Sequence, residues 1–312
     1  MKKRSLKSVN GWCLSLLVFV MCVMTTGCSS GNDERRLVDV DETTVTLMFS
    51  PYQMDVMTRA GGLTNERADE PTESVCTVTR TATSIAGMVS RLDVWIMEGG
   101  NTTAVHQVST DDGFGTVTAT LDKTKTYTLV AVGHNASGSA TLTDGVVAFP
   151  DDKVTQSMIY TTTFSPATTT ALSCEMQRIV GRLRIETADA VPDDVKKITV
   201  TFSGTGNRWN VSGTSTNVTD RTATFNITST RDDGTVLLGL FVMPANLTDT
   251  QYIDLTMSAM NADDDVLEQK QLNDVPIKAG YQTSCLGTLF TTGQTAMTFT
   301  VDDWLAFDTI NF

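Results

Sequence analysis

The apolar positions of this chain recur with period two for most of its length. In residues 44–49, Val45, Leu47 and Phe49 share one face and Thr44, Thr46 and Met48 the other, the pattern of a half-buried strand. Residues 53–84 are rich in Thr, Glu, Gly and Arg without any period. They read as a long loop, a length uncommon inside a compact domain unless it is functional or disordered. Leu92-Asp93-Val94-Trp95-Ile96-Met97 is the next strand, closed by the hairpin signal Glu98-Gly99-Gly100-Asn101, and 105–108 pairs back. Asp111-Asp112-Gly113 predicts a turn and 116–121 a strand, and 126–132 is apolar enough for a central strand. A second series starts near Arg178, where Ile179, Leu183 and Ile185 share a face opposite Arg182 and Arg184. Strands over 197–202, 223–227, 236–243, 252–260, 266–272, 282–290 and 297–301 follow, ending near Trp304. Short strands at this spacing, with no useful helical period, predict an all-β fold of β-sandwiches. A boundary near residue 177 gives an N-terminal sandwich over 43–177 and a C-terminal sandwich with its tail over 178–312.

The first residues follow another rule. Lys2, Lys3, Arg4 and Lys7 precede an apolar run from Trp12 to Met24. That run is far short of the ~20 residues that span a bilayer, and reads as the core of an export signal. It ends in Thr25-Thr26-Gly27-Cys28 and passes into the polar stretch 29–42, a tether. The Gly-Cys junction resembles a bacterial lipobox, with residues 1–28 as signal and lipobox and Cys28 as the lipidated residue, although Thr25 stands where such motifs usually have Leu. An ordinary secretory signal is the alternative. Loss of residues 1–27 takes four positive charges and no acid from a chain of net charge −13, leaving −17. Such a balance opposes nucleic-acid binding, which needs clustered Lys and Arg. Abundant Thr, β-branched and strand-favouring, agrees with the all-β reading.

Candidate chemistry is sparse. Six Cys and two His occur in 312 residues, and with Cys13, Cys22 and Cys28 assigned to the leader, Cys76, Cys174 and Cys285 remain. They form no CxxC, so buried free thiols are expected, although one disulfide among them could form in an oxidising compartment. Asn261-Ala262-Asp263-Asp264-Asp265 opens like a calcium loop but has Val266 and Leu272 where Gly and Glu are needed, so a hairpin turn is expected. Gly204-Thr205-Gly206-Asn207 lacks the Lys-Ser/Thr of a phosphate loop and reads as a bulge or turn. His106 and His134 lie on or beside strands without an evident acidic partner and read as structural. Trp95, Trp209 and Trp304 read as core. No metal site, cofactor or catalytic group is expected.

Tyr127 to Asn135 (YTLVAVGHN), Arg178 to Ile185 (RIVGRLRI), Val275 to Phe290 (VPIKAGYQTSCLGTLF) and the closing Val301-Asp302-Asp303-Trp304 together resemble the fimbrillin-type subunits of Bacteroidales type V pili. The motifs are individually degenerate; their order and spacing through most of the mature chain carry the resemblance. It implies two tandem transthyretin-like Greek-key sandwiches, export to the outer membrane as a lipoprotein, and assembly with other pilus subunits by strand exchange. In polymerising members an Arg-specific protease removes the lipidated segment with its first strand, and a partner's C-terminal segment fills the groove. Members that keep their lipid act as anchors or caps. Asp308-Thr309-Ile310 fits a short O-glycosylation pattern resembling that of such bacteria.

Carried onto this chain, the removable strand is 43–50, with Val45, Leu47 and Phe49 as its core face. Arg59-Ala60 is the leading cleavage site; Arg35, Arg36 and Arg67 are alternatives, of which the first two would leave the strand in place. All four arginines could equally be solvated charges. The tail continues an apolar series from Met297, Phe299 and Val301 through Trp304 to Phe307, Ile310 and Phe312. Own-domain docking is expected for 297–304 and donation for 307–312. Two readings therefore stand: a structural fimbrial subunit with a role in adhesion, or a surface lipoprotein that binds host protein or glycans through sandwich loops. An enzyme is a distant third, since no nucleophile site or carboxylate pair can be picked out. A removable strand, an Arg-bearing loop and an apolar tail are needed by the first reading only.

Overall fold

A computed structural model describes residues 41–52, 84–291 and 297–303, and among them the fold is all-β. The first half contains β1 (Glu42–Pro51), β2 (Arg91–Glu98), β3 (Asn101–Val108), β4 (Thr116–Asp122), β5 (Tyr127–His134), the short β6 (Thr141–Thr143) and β7 (Val146–Ala148), β8 (Ser157–Phe164) and β9 (Ala171–Arg178). Its seven-stranded sheet has the order β3-β2-β5-β8-β9-β1-β4. The sheet folds over at β8–β9, which pair only at Met158↔Arg178 and Ile159↔Gln177. This brings β9-β1-β4 over β3-β2-β5-β8. Val45, Leu47, Phe49, Val117, Cys174 and Met176 from one layer then meet Leu92, Val94, Ile96, Leu129, Met158 and Phe164 from the other in a single core. Alternation of side chains across a pleated strand is what lets each layer contribute one face.

The second half repeats the plan. It contains β10 (Gly181–Thr187), β11 (Lys197–Thr205), β12 (Arg208–Asn210), β13 (Thr214–Thr216), β14 (Thr219–Asn226), β15 (Leu237–Val242), β16 (Gln251–Met260), β17 (Val266–Ile277), β18 (Tyr281–Gly287) and β19 (Thr298–Asp303). Four-stranded sheets β15-β10-β18-β19 and β14-β11-β16-β17 enclose its core. β10 runs parallel to β18 and antiparallel to β15, as β1 runs parallel to β9 and antiparallel to β4. β11 lies between β14 and β16, as β2 lies between β3 and β5. Even the Ser-Cys steps correspond, with Cys174 opposite Phe49 and Cys285 opposite Ile185. Among the described residues, β19 has no counterpart in the first half.

A third cluster and a shared sheet join the halves. β6–β7 and β12–β13 are hairpins from different halves, and they zip edge to edge into a four-stranded sheet, β13-β12-β7-β6, with Trp209 opposite Val147. Asp144-Gly145, both at positive φ, forms the tight turn of the first hairpin. Trp95, Val130, Val132, Phe149, Ile179, Val180, Trp209 and Met243 fill the space beneath. Ile179 therefore packs at the junction, and Leu183 and Ile185 pack in the second core. The peptide bonds between β9 and β10 carry Ile179 off the face the alternation assigned it. Burial on both faces also explains why β2 and β5 read as near-continuous apolar runs: Leu92, Val94 and Ile96 enter the first core while Trp95 enters the junction.

The expected hairpins at Gly99-Gly100 and at 261–265 are present, and Gly204 (φ +76) lies at the bulge between Phe202 and Thr205. The three-residue strands β6, β7, β12 and β13 are too short to show a period. In β8, three consecutive Thr (161–163) interrupt the apolar pattern, whereas β9 does alternate, with Leu172, Cys174 and Met176 inward and Ser173, Glu175 and Gln177 outward.

Candidate functional site

The groove that holds β1 is built from β9, β4 and the short turn Ile85–Gly87. Val45, Leu47 and Phe49 point into the core and are almost wholly buried; each such side chain contributes roughly 1.5–3 kcal/mol by leaving water. Leu47 lies opposite Val117 on β4 and Leu172 on β9, and Phe49 lies opposite Cys174. Backbone bonds pin both ends of the strand: Lys123 N–H donates to the Asp41 carbonyl (2.9 Å), Phe49 N–H to Gly115 (2.8 Å) and Tyr52 N–H to Met176 (2.8 Å). Gly115 has φ +87, and a Cβ there would lie 2.8 Å from Ile85 Cγ2, so a side chain at this corner would collide with the groove wall. Its N–H is taken by Gln107 Oε1 (3.1 Å), whose amide also donates to the Thr116 carbonyl (2.9 Å). Gln107 thus occupies part of the outer edge of β4, a side-chain cap on a strand edge.

Among the described residues, β1 is the only strand paired with β4. A chain without β1 would expose two ladders at once, one on β9 and one on β4, together with an apolar floor. Cys174 lies in that floor. It is a free thiol, its pKa pushed up to about 12 by burial, as is that of Cys285 in the second core.

At the other end of the chain, β19 pairs with β18 from Leu286↔Thr298 to Tyr281↔Asp303. Met297 is buried in the second core and Phe299 packs against it, whereas Val301 is 43% exposed. The Asp189 carboxylate fixes the preceding turn by accepting the N–H groups of Leu289 (2.9 Å), Phe290 (2.7 Å) and Thr291 (2.8 Å). Residues 297–303 thus dock on their own half. Cys28, Arg35, Arg36, Arg59, Ala60, Arg67, Cys76, Trp304, Phe307, Asp308, Thr309, Ile310 and Phe312 lie outside the described residues. Of the expected site residues, Val45, Leu47 and Phe49 are brought together.

One polar cluster had no sequence signal. Asp93, 1% exposed, lies on the junction face of β2 between histidines of both neighbouring strands. It accepts from His106 Nδ1 (2.6 Å), His134 Nε2 (2.8 Å) and the Ala140 N–H (2.6 Å). Ala136 N–H donates to His134 Nδ1 (3.1 Å), which places the His134 proton on Nε2. Burial raises the Asp93 pKa, but the hydrogen bonds from His134, His106 and Ala140 outweigh it and hold the carboxyl below the usual range. Arg91 completes the network through the Ala136 and Ser137 carbonyls. Its effect is to fix loop 135–140, which leads into the β6–β7 hairpin of the junction. The acid and the two histidines are separated in sequence and meet only through strand pairing, so spacing could not reveal them. Trp95 and Trp209 are buried at the junction.

A family model described as a family of unknown function, DUF6562, matches residues 96–310. The chain belongs to that family. No curated protein matches the sequence. Among solved structures, similarity extends to a candidate adhesin of Bacteroides thetaiotaomicron, with 12% identity, 86% of this chain and 98% of that one covered, and a TM-score of 0.47. A candidate polysaccharide-binding protein (DUF1812) of the same species shows 9% identity, 84% and 96% coverage, and a TM-score of 0.49. The fimbrial anchor protein Mfa2 of Porphyromonas gingivalis shows 11% identity, 84% and 98% coverage, and a TM-score of 0.42.

Proposed function

We propose that this DUF6562 protein is a structural subunit of a cell-surface fimbrium, exported as a lipoprotein through Cys28 and assembled with other subunits by donor-strand exchange. In this reading the two halves are transthyretin-like sandwiches, adhesion is the biological output, and the protein has no catalytic chemistry. The observation that carries it is the position of β1. This strand fills the first core through Val45, Leu47 and Phe49, yet it reaches the rest of the fold only through residues 53–83, where Arg59-Ala60 lies. One cut there frees a core strand without breaking any other described element. The vacated site would present unpaired edges on β9 and β4, which an extended segment with alternating apolar side chains can satisfy. Phe307, Ile310 and Phe312 are the expected source. Glycan binding has no comparable support, because Trp95 and Trp209 lie in the junction core. Replacing Arg59 with Ala tests the reading: surface-extracted protein should keep its N-terminal segment and form no polymer. Unchanged processing would remove Arg59 from the role, and polymer built from uncut subunits would overturn exchange at this groove.

A further inference from the structure

The sheet edges of this molecule are guarded unequally. An unpaired edge strand offers its N–H and C=O groups to any extended chain, and charges, proline, bulges or shortness are the usual defences. β14 carries Asp220, Arg221 and a register shift against β11. β17 carries Glu268, Lys270, Asp274 and Pro276, and its register against β16 is broken twice. β19 ends in Asp302 and Asp303, β6 and β13 have three residues each, and Gln107 occupies the Gly115–Thr116 end of β4. β15 is uncharged, but none of its residues is exposed. β3 has none of these defences. It pairs with β2 unbroken from Arg91↔Val108 to Glu98↔Asn101, contains no Asp, Glu, Lys, Arg or Pro, and exposes Thr102, Thr103, Ala104 and His106.

The direction of its backbone groups follows from one end of the strand. Ser109 N–H donates to the Ser90 carbonyl (2.8 Å), whereas Val108 N–H donates to Asp111 Oδ2 (2.8 Å) and the Val108 carbonyl accepts from Asp111 N–H (2.8 Å). Both groups of Val108 are therefore turned away from β2. Alternation along an antiparallel pair turns those of His106, Ala104 and Thr102 the same way, and among the described residues no backbone bond reaches them.

We propose that β3 is a self-pairing edge, through which two copies of this chain join antiparallel about a two-fold axis at Ala104. In that register Ala104 faces Ala104 of the second copy and Thr102 faces His106, each facing pair exchanging both of its backbone bonds. Moving the axis by one residue loses a pair, either to the Gly99-Gly100 turn or to Val108, which Asp111 already caps. Ala104 has the smallest side chain of the strand and lies where a residue must face itself. A net charge of −13 opposes contact between copies, but β3 is uncharged. The register also sets Lys125, held at the hairpin tip by Glu98 (3.5 Å), alongside the Asp111-Asp112 turn of the other copy. Such an edge buries little area, so the contact is weak and reversible in solution. It uses neither β1 nor the C-terminal residues, and stands independently of strand exchange.

The test places a thiol on the axis of the full chain. Facing residues of a bonded antiparallel pair have Cα atoms about 5.5 Å apart, within reach of a disulfide. Under mild oxidation Ala104→Cys should form a dimer linked through position 104 of both copies, identified by peptide mapping. Thr102→Cys, whose two thiols would lie on opposite sides of the axis, should link at least tenfold more slowly. Ala104→Pro removes an outward N–H, a change that an edge strand tolerates, and Thr102→Lys adds a charge to the edge. In sedimentation equilibrium at millimolar concentration the unaltered chain should dimerise, and either variant should weaken dimerisation at least tenfold. A chain that stays monomeric there, or a dimer that both variants leave intact, would overturn self-pairing at β3. Equal linking of Ala104→Cys and Thr102→Cys would overturn the axis. A disulfide from position 104 to Cys76 of the same chain would mean that the chain's own 53–83 segment covers this edge, which also overturns the proposal.

Discussion

The two halves of this molecule solve one packing problem with different chain connections. In each, the first strand runs parallel to a late one (β9 or β18) and antiparallel to a middle one (β4 or β15), and drives alternate apolar side chains into the core. β10 enters directly from β9 through Ile179 and Val180, both buried at the junction. β1 is joined to β2 only across a long intervening segment. The second half also carries β19 along the outer edge of β18, where the first half has only the brief β8–β9 pairing. Equal core roles with unequal tethering predict that one cut within 53–83 separates β1, with no equivalent cut for β10.

Leu47 and Leu183 give the largest expected effect and probe the equality of the core roles. Each is fully buried and lies opposite its antiparallel partner, Val117 or Leu240. Leu→Ala at either position should cost about 2–5 kcal/mol in denaturant unfolding of the intact chain. Cutting the chain within 53–83 should separate them. The Leu47→Ala variant should then lose its β1 fragment on dilution, while Leu183→Ala should behave as it does uncut. Dilution-independent stability in the cut Leu47→Ala protein would mean that the linker is not what holds β1 in place.

The second comparison concerns the junction network, which has no equivalent among the described residues of the second half. Asp93→Asn leaves a buried amide facing three donors and should cost about 2–4 kcal/mol. The pH dependence follows from the sign of the Asp93 shift. Because its folded-state pKa is depressed, the carboxylate contributes stability that is present above the unfolded value of about 3.9 and is lost as pH falls through the lower folded value. The wild-type chain should therefore destabilise more steeply than Asp93→Asn below about pH 4 in acid-unfolding curves. Parallel acid limbs would show that the folded-state pKa of Asp93 is not depressed.

Most of the fold was legible where one physical rule governed a segment. Val45, Leu47 and Phe49 alternate because one face of β1 is wet, and the Gly-Gly and Asp-Gly steps mark turns because the backbone there needs positive φ. Legibility failed where two rules overlapped or tertiary pairing supplied the meaning. β8 mixes core and solvent positions with Thr on both faces. The β6–β7 and β12–β13 hairpins form one sheet only because β7 and β12 meet edge to edge. The groove floor was readable from β1 itself, whereas Gly115, Ile85 and Gln107 acquire their roles only once β4 and the turn at 85–87 stand beside it.

Cys174 and Cys285 offer the smallest perturbation and a direct reading of the same comparison. They occupy equivalent places, each beneath the first strand of its half, each buried and each with its thiol pKa pushed up to about 12. Burial suppresses the reactive thiolate, so alkylation requires an opening of the strand above. In the intact chain both should react slowly and at similar rates. After cleavage within 53–83, dissociation of β1 is no longer limited by a covalent tether, and Cys174 should react at least tenfold faster while Cys285 keeps its rate. Alkylated cysteines located by peptide mapping under native conditions give both rates from one sample. Acceleration at both thiols would mean that the junction sheet couples the two cores, so that loss of β1 loosens the whole molecule. Acceleration at Cys174 alone would mean that the first half can open while β10, held between the halves, keeps the second closed.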